Sequence, residues 1–148
     1  KVFWNKNSTV INPGIDFDNF HVSNNKKNQY IIVSQLVSYK NVELAIKAFN
    51  INKKKLFIIG EGPLFNTYRK ISNDNIVFLG NTTNEVRNKY FSESKALIFP
   101  GIEDFGLVPL EAMASGTPVI AYNKGGVKEY LIEKVKIKYK RFLHEYNY

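Results

Sequence analysis

The 148-residue sequence contains no cysteine, which excludes disulfide bonds and thiolate metal sites. It also contains no apolar run of about 18 residues, the length that a transmembrane helix requires, and no signal peptide opens the chain. Its two histidines, His21 and His144, lie in polar segments without an evident serine, cysteine or acidic partner, so a histidine-centred triad has no support. We therefore expect a cytoplasmic protein, with the inner face of the membrane as the alternative location.

Arginine is scarce although the chain is basic. Lys and Arg total 21 against 13 Asp and Glu, a formal net charge of +8, and almost all of the positive charge is lysine. A nucleic-acid-binding domain is one interpretation, and it predicts salt-sensitive affinity for DNA or RNA. The lysines are spread among asparagine-rich turns without an arginine cluster or a known binding motif, so we expect no nucleic-acid partner. Such a surface still attracts anionic ligands and allows peripheral contact with membrane headgroups.

Short apolar runs rich in Ile, Val and Phe predict strands that are buried on both faces. They are Tyr30 to Leu36, Leu56 to Ile59, Ile76 to Leu79, Ala96 to Phe99 and Val119 to Tyr122. Helix-period segments alternate with them, at Val42 to Phe49, Leu64 to Ile71, Glu85 to Ser94 and Leu107 to Ser115. The alternation predicts an α/β fold, a Rossmann-like doubly wound parallel sheet, whose ligand crevice lies beyond the carboxyl ends of the strands.

The chain divides into three predicted parts. Residues 1–28 are polar and turn-rich and form an entry or linker segment, residues 29–133 form the Rossmann-like domain, and residues 134–148 form a basic tail. The tail alternates cationic and apolar residues, which is compatible with a membrane-surface strand, but we favour a disordered or aberrant chain end. The chain opens on Lys1 and its one methionine is Met113, so we expect a segment of a longer protein or a degraded reading frame.

The segment from Phe99 to Ala121 combines the end of a strand, a glycine loop and a short helix. Gly106 permits a tight turn and Pro109 suits the first turn of a helix, so we expect a helix from about Leu107. Gly116 and Pro118 end this helix. The unpaired first-turn N–H groups of such a helix attract phosphate.

Two carboxylates flank this predicted anion site. Glu103 lies in the loop and Glu111 lies one turn inside the helix. A carboxylate repels phosphate but accepts two O–H donors from a vicinal diol, which a ribose offers. A nucleotide sugar, with its phosphates in the middle, its ribose at Glu111 and its hexose at Glu103, accounts for both acids. The alternative is that both are ordinary solvated side chains.

This segment resembles the signature of retaining, nucleotide-sugar-dependent family 4 glycosyltransferases, whose two-domain architecture is called GT-B. Glu-Asp-Phe-Gly at 103–106 and Ala-Tyr-Asn-Lys-Gly-Gly at 121–126 are most similar to mannosyltransferases that use GDP-mannose. The resemblance implies a carboxyl-terminal donor-binding domain of a hexosyltransferase, with no cofactor besides the donor substrate and no metal. It also implies that a missing amino-terminal domain binds the glycan or lipid-linked acceptor, so this chain alone transfers little.

The resemblance assigns roles to individual residues. Lys40 and Glu103 are the implied catalytic residues: Lys40 neutralises the leaving diphosphate, and Glu103 binds a hydroxyl of the transferred hexose. The implied donor-binding residues are Gln35, Gly60, Gly62, Asp104, Phe105, Gly106, Leu107, Val108 and Glu111. Gln35 stands where the family usually has arginine, and a neutral amide lacks the charged bidentate clamp. A second hypothesis is therefore a non-catalytic nucleotide-binding module or an inactive remnant.

Four further motifs allow alternative interpretations. The Gly60 to Phe65 loop lacks the third glycine of a dinucleotide fingerprint, which argues against a dehydrogenase. Asp16-Phe17-Asp18 is a D-x-D of the kind that holds metal in another glycosyltransferase class, but here it lies in the linker-like segment. Gly125-Gly126 permits close backbone approach to the sugar end of a donor, with a plain turn as the alternative. Thr82 or Thr83 is a candidate N-cap of the following helix.

Overall fold

The structure, a computed structural model, describes residues 9–131, so the predicted basic tail at 134–148 lies outside the described residues. A sheet of five parallel strands forms its centre, in the order β3-β2-β1-β4-β5. The strands are β1 Gln29–Val33, β2 Lys55–Ile59, β3 Ile76–Gly80, β4 Ala96–Phe99 and β5 Val119–Ala121. This topology confirms the predicted Rossmann-like, doubly wound parallel sheet.

Helices connect the strands and cover both faces of the sheet. They are α1 Val42–Asn52, α2 Phe65–Ile71, α3 Asn84–Glu93 and α4 Leu107–Ala114. Strand β1 ends at Val33, three residues before the end of its apolar run, and Gln35 in the rest of that run is exposed. The amides of Ser34 and Leu36 still donate to the carbonyls of Ile59 (3.0 Å) and Glu61 (2.8 Å), so the loops after β1 and β2 run side by side.

Two apolar clusters sandwich the sheet, because consecutive residues of a strand point to opposite faces. Ile32 packs with residues of α1 and α2, including Ile46 and Tyr68. Its neighbour Ile31 packs on the other face with residues of α3 and α4, including Phe91 and Ala112. Burial on both faces explains why the strand sequences are almost continuously apolar.

The segment before β1 is attached to α3. The amide of Lys27 donates to the carbonyl of Glu93 (2.7 Å), and the Lys26 ammonium donates to the carbonyl of Ser92 (2.7 Å) and to Thr117 Oγ1 (2.8 Å). Burial lowers the pKa of Lys26 below its usual value. Asp16 caps a short 3-10 turn by accepting from the amide of Asp18 (3.2 Å). Across residues 9–131, no helix is long and apolar enough to span a membrane.

Candidate functional site

The order of the strands reverses between β1 and β4, the two strands on either side of the switch point. In sheets of this type, ligands bind in the crevice that opens beyond the carboxyl ends of such strands. The loop after β1 and the loop after β4 meet here: a Cβ on Gly101 would lie 3.0 Å from the Cα of Lys40. The backbone therefore brings two of the predicted site segments together.

Helix α4 starts at Leu107, as predicted, directly after Gly106. Gly106 has a φ of 87°, a backbone conformation that favours glycine, and it provides no side-chain cap for the helix. The amides of Leu107 and Val108 belong to the first turn, whose N–H groups have no partner within the helix. Because they lie at the positive end of the helix dipole, this turn can bind an anion.

Lys40 and Glu103, the two predicted catalytic residues, form an ion pair across the switch point. Lys40 follows β1 in a 3-10 turn, and Glu103 follows β4. Their side chains are only 15% and 26% exposed. An ammonium has three N–H donors, so Lys40 can keep its bond to Glu103 and still donate to a phosphate oxygen.

The loop after β5 fixes the position of the loop that contains Glu103. The amide of Gly126 donates to the carbonyl of Glu103 (2.8 Å). A Cβ on Gly126 would overlap the carbonyl oxygen of Asp104 and would lie 2.5 Å from the Cα of Phe105. Glycine is therefore required at Gly126 by a contact within the protein, without reference to a ligand.

Tyr130 holds the turn that leads into α4. Its hydroxyl lies 2.7 Å from the carbonyl oxygen of Phe105 and 2.8 Å from that of Gly106, and donates to this pair of carbonyls. Its ring also packs on the Phe105 ring, with centroids 5.2 Å apart. Burial, assisted by the negative charge of Glu103, raises the pKa of Tyr130 to about 12.

We expect Tyr130→Phe to lower the free energy of unfolding by about 0.5–1.5 kcal/mol at pH 7, because the turn loses a hydrogen bond. The native state keeps the phenol proton more tightly than the unfolded state does, so this contribution is complete below pH 10.0 and disappears as the pH rises towards 12. Urea unfolding of both proteins at pH 7 and pH 11 measures the difference. An equal difference at the two pH values would contradict the assignment.

Glu111 lies one turn inside α4 and pairs with Arg87 of α3. Arg87 Nη2 donates to Glu111 Oε1 over 3.3 Å, and the side chains are 25% and 16% exposed. Burial raises the pKa of Glu111 above its usual value, and the charge of Arg87 opposes this effect. Within residues 9–131, Glu111 Oε2 and Arg87 Nε are among the five buried side-chain atoms without a hydrogen-bond partner. The second carboxylate oxygen therefore has unused acceptor capacity.

The other predicted donor-binding residues lie around this crevice in different ways. Gln35 is exposed in the loop after β1, as Asp104 is in the loop after β4. Gly60 and Gly62 contact the backbone of the loop after β1: a Cβ on Gly62 would lie 2.5 Å from the carbonyl oxygen of Leu36. The need for glycine at these two positions follows from this contact, whether or not a nucleotide also approaches them.

Two residues of the site were missed by sequence reasoning, Arg87 and Tyr130. Arg87 occupies a helix in which acidic and basic residues alternate without a recognisable motif, and Tyr130 comes after the recognised motifs. Both act through contacts between elements, which local patterns do not reveal. By contrast, Thr83 is the N-cap of α3, one of the two alternatives given by the sequence, and accepts from the amide of Val86 (3.4 Å).

The fold and site together define a Rossmann-like domain with a helix start that can bind an anion and two carboxylates at its switch point. The family model described as "Glycosyl transferases group 1" matches residues 15–145. The chain therefore belongs to the group 1 glycosyltransferases.

Individual relatives agree with this family at low sequence identity. The uncharacterized glycosyltransferase MJ1607 of Methanocaldococcus jannaschii is 30% identical over 115 residues, which cover 71% of this chain and 30% of that protein. A GDP-mannose-dependent alpha-(1-6)-phosphatidylinositol monomannoside mannosyltransferase of Mycobacterium tuberculosis is 28% identical over 117 residues. These residues cover 67% of this chain and 30% of that protein. A crystal structure of a mutant S. aureus TarM in complex with Fondaparinux, alpha-GlcNAc-glycerol and UDP matches with a TM-score of 0.77 at 21% identity, over 89% of this chain and 29% of TarM. The chain thus spans about 30% of the length of these proteins.

Proposed function

We propose that this chain is the donor-binding domain of a retaining hexosyltransferase of family 4. The first turn of α4 binds the diphosphate of a nucleotide sugar, Glu111 binds the ribose diol, and Glu103 binds a hydroxyl of the hexose. The observation that carries the proposal is the buried, unpartnered Oε2 of Glu111, one turn from the open amides of Leu107 and Val108. A carboxylate oxygen that no protein donor satisfies has the acceptor capacity for the two O–H groups of a vicinal diol, and Arg87 offsets its negative charge.

The Lys40–Glu103 pair supports the transfer step. A carboxylate beside a diphosphate repels it, and the Lys40 ammonium neutralises Glu103 before the donor arrives. As the bond between the hexose and the diphosphate breaks, negative charge grows on the diphosphate, and Lys40 and the α4 amides are placed to stabilise it. Gln35 supplies no charge to this step, so we expect slower transfer than in relatives with arginine there.

GDP-mannose is the donor that we propose. The support is the likeness of residues 103–106 and 121–126 to mannosyltransferases, and the name of the M. tuberculosis relative, which specifies GDP-mannose. The TarM complex contains UDP, which makes a UDP-sugar the alternative. The chain spans only about 30% of the length of its relatives, so we propose that the acceptor, a glycan or a lipid-linked sugar, binds a second domain. We also propose that the reaction takes place at the cytoplasmic face of the membrane.

Titration calorimetry of the 148-residue chain with GDP, UDP, GDP-mannose and UDP-glucose tests this proposal. We expect GDP and GDP-mannose to bind more tightly than their uridine counterparts, with GDP-mannose gaining affinity over GDP from contacts to Glu103. Preference for UDP and UDP-glucose would overturn the GDP-mannose assignment and leave donor binding intact. Absence of binding by all four compounds would overturn the proposed function.

A nucleotide-binding module without transfer activity is the second candidate, and the neutral Gln35 is the observation that favours it. Both candidates predict nucleotide binding. They differ in donor hydrolysis: without an acceptor, a transfer site can slowly pass the hexose to water, whereas a binding module cannot. Release of free mannose from GDP-mannose, reduced in Glu103→Gln, would favour a transferase, whereas binding without release favours the module.

A further inference from the structure

We propose that Arg87 is a positioning residue for Glu111: it holds Oε1 of the carboxylate so that Oε2 remains ionised and available to the ribose diol. The inference rests on the proposed function and adds to it a residue from a helix that none of the predicted site motifs includes. It begins from geometry. Arg87 Nη2 lies 3.3 Å from Glu111 Oε1, whereas Oε2 is buried without a protein partner.

The two oxygens of Glu111 therefore have different surroundings. A carboxylate that is paired through both oxygens has little capacity left for a ligand, and one that is paired through neither can rotate. A single contact from Arg87 fixes one oxygen and leaves the other for two O–H donors. A guanidinium suits this role because it stays charged at every accessible pH.

Arg87 also affects the ionisation of Glu111. Burial raises the pKa of Glu111, and the Arg87 charge lowers it. Helix α4 packs mainly against α3, β4 and β5, of which β4 and β5 contain no charged residue, and neither does the rest of α4. Tyr130, from the segment after β5, lies at the start of α4 as a neutral phenol, since burial raises its pKa to about 12. The charged residues of α3 are Glu85, Arg87, Lys89 and Glu93. Lys26 contacts Thr117, beyond the far end of α4, so Arg87 is the cation that faces Glu111.

Removing the Arg87 charge should therefore raise the pKa of Glu111 further. Loss of an opposite charge at this range corresponds to about 1 pH unit or more. Because the protonated acid is a poorer acceptor, GDP affinity falls as the pH drops through the pKa of Glu111. In Arg87→Met the midpoint of that fall lies about 1 pH unit higher than in the wild type, and between the two midpoints the variant binds up to about tenfold more weakly.

The experiment measures GDP affinity of the full chain from pH 4 to pH 8 for the wild type, Arg87→Met, Arg87→Lys and Glu111→Gln. The control is Arg69→Met, which removes an exposed arginine at the end of α2 and should leave the profile unchanged. Arg87→Lys keeps the positive charge, so the pH midpoint of its GDP affinity should lie close to that of the wild type. Glu111→Gln should abolish the fall in GDP affinity whose midpoint Arg87→Met moves to higher pH. The terminal phosphate of GDP also titrates in this pH range. Because this effect is the same for every variant, only differences between variants are interpreted.

A direct carbon NMR titration of the Glu111 carboxyl, without nucleotide, gives a readout that does not depend on binding. The inference expects a higher Glu111 pKa in Arg87→Met than in the wild type. An unchanged Glu111 pKa, or a loss of stability with an unchanged pH profile, would overturn the role of Arg87 and leave the proposed function standing. Absence of GDP binding by the wild type would instead overturn the proposed function.

Discussion

Replacing Glu111 by glutamine should weaken the binding of GDP by about 10- to 150-fold. The carboxylate has one buried oxygen without a protein partner, and we propose that this oxygen accepts from the ribose hydroxyls. A hydrogen bond to a charged group contributes about 1.5–3 kcal/mol, and each 1.4 kcal/mol corresponds to a factor of ten in the dissociation constant. Glutamine keeps the size of the side chain and removes its charge, so the measured loss reports the charged interaction.

Glu43→Gln is the matched control for this experiment. Glu43 is an exposed carboxylate on α1 that forms an ion pair with Lys47 one turn away. Its replacement should leave GDP affinity within experimental error, because the pair lies on the solvent face of the helix. Equal losses in Glu43→Gln and Glu111→Gln would show a general effect of net charge on an anionic ligand and would contradict a specific role for Glu111.

Replacing Gly126 by alanine should lower the free energy of unfolding by about 1–3 kcal/mol, the usual cost of overpacking. The new methyl group would overlap the Asp104 carbonyl oxygen, and both groups belong to backbone that cannot rotate away as a side chain can. The hydrogen bond from the Gly126 amide to the Glu103 carbonyl (2.8 Å) would lengthen as the loops separate. We therefore expect lower GDP-mannose affinity as well, because Glu103 moves with its loop.

Gly14→Ala provides the control for this substitution. A Cβ on Gly14 has no neighbouring atom within 4 Å, so the same chemical change meets open space there. Alanine reduces the freedom of the unfolded chain, so Gly14→Ala should be neutral or slightly stabilising. Urea unfolding of the two variants and the wild type measures the contrast. A Gly126→Ala protein as stable as the Gly14→Ala protein would show that the loops are not in contact.

The parallel sheet was predictable because its strands are buried on both faces and leave apolar runs in the sequence. Glycine and proline likewise marked the start of α4, since a φ of 87° at Gly106 and a fixed φ at Pro109 are local requirements. The family resemblance added the roles of individual residues only as implications. Local chemistry was thus sufficient for the strands and for this helix start, and it narrowed the cap of α3 to Thr82 or Thr83.

Contacts between distant segments were not predictable in the same way. The Lys40–Glu103 pair joins residues 63 positions apart, and it forms because β1 and β4 are neighbours in the sheet. The Arg87–Glu111 pair depends on the packing of α3 against α4. Gly62 shows the converse: a glycine that the sequence assigned to ligand approach is already explained by contact with the loop after β1.

A double-mutant cycle between Glu111 and the ribose hydroxyls tests the central claim most directly. Titration calorimetry compares GDP and 2′,3′-dideoxy-GDP as ligands of the wild type and of Glu111→Gln at constant salt. The account predicts that removing the hydroxyls weakens binding to the wild type by at least about tenfold and has little further effect in Glu111→Gln, a coupling of about 1.4 kcal/mol or more. Independent, additive losses would contradict it, because the carboxylate would then not be the group that holds the ribose.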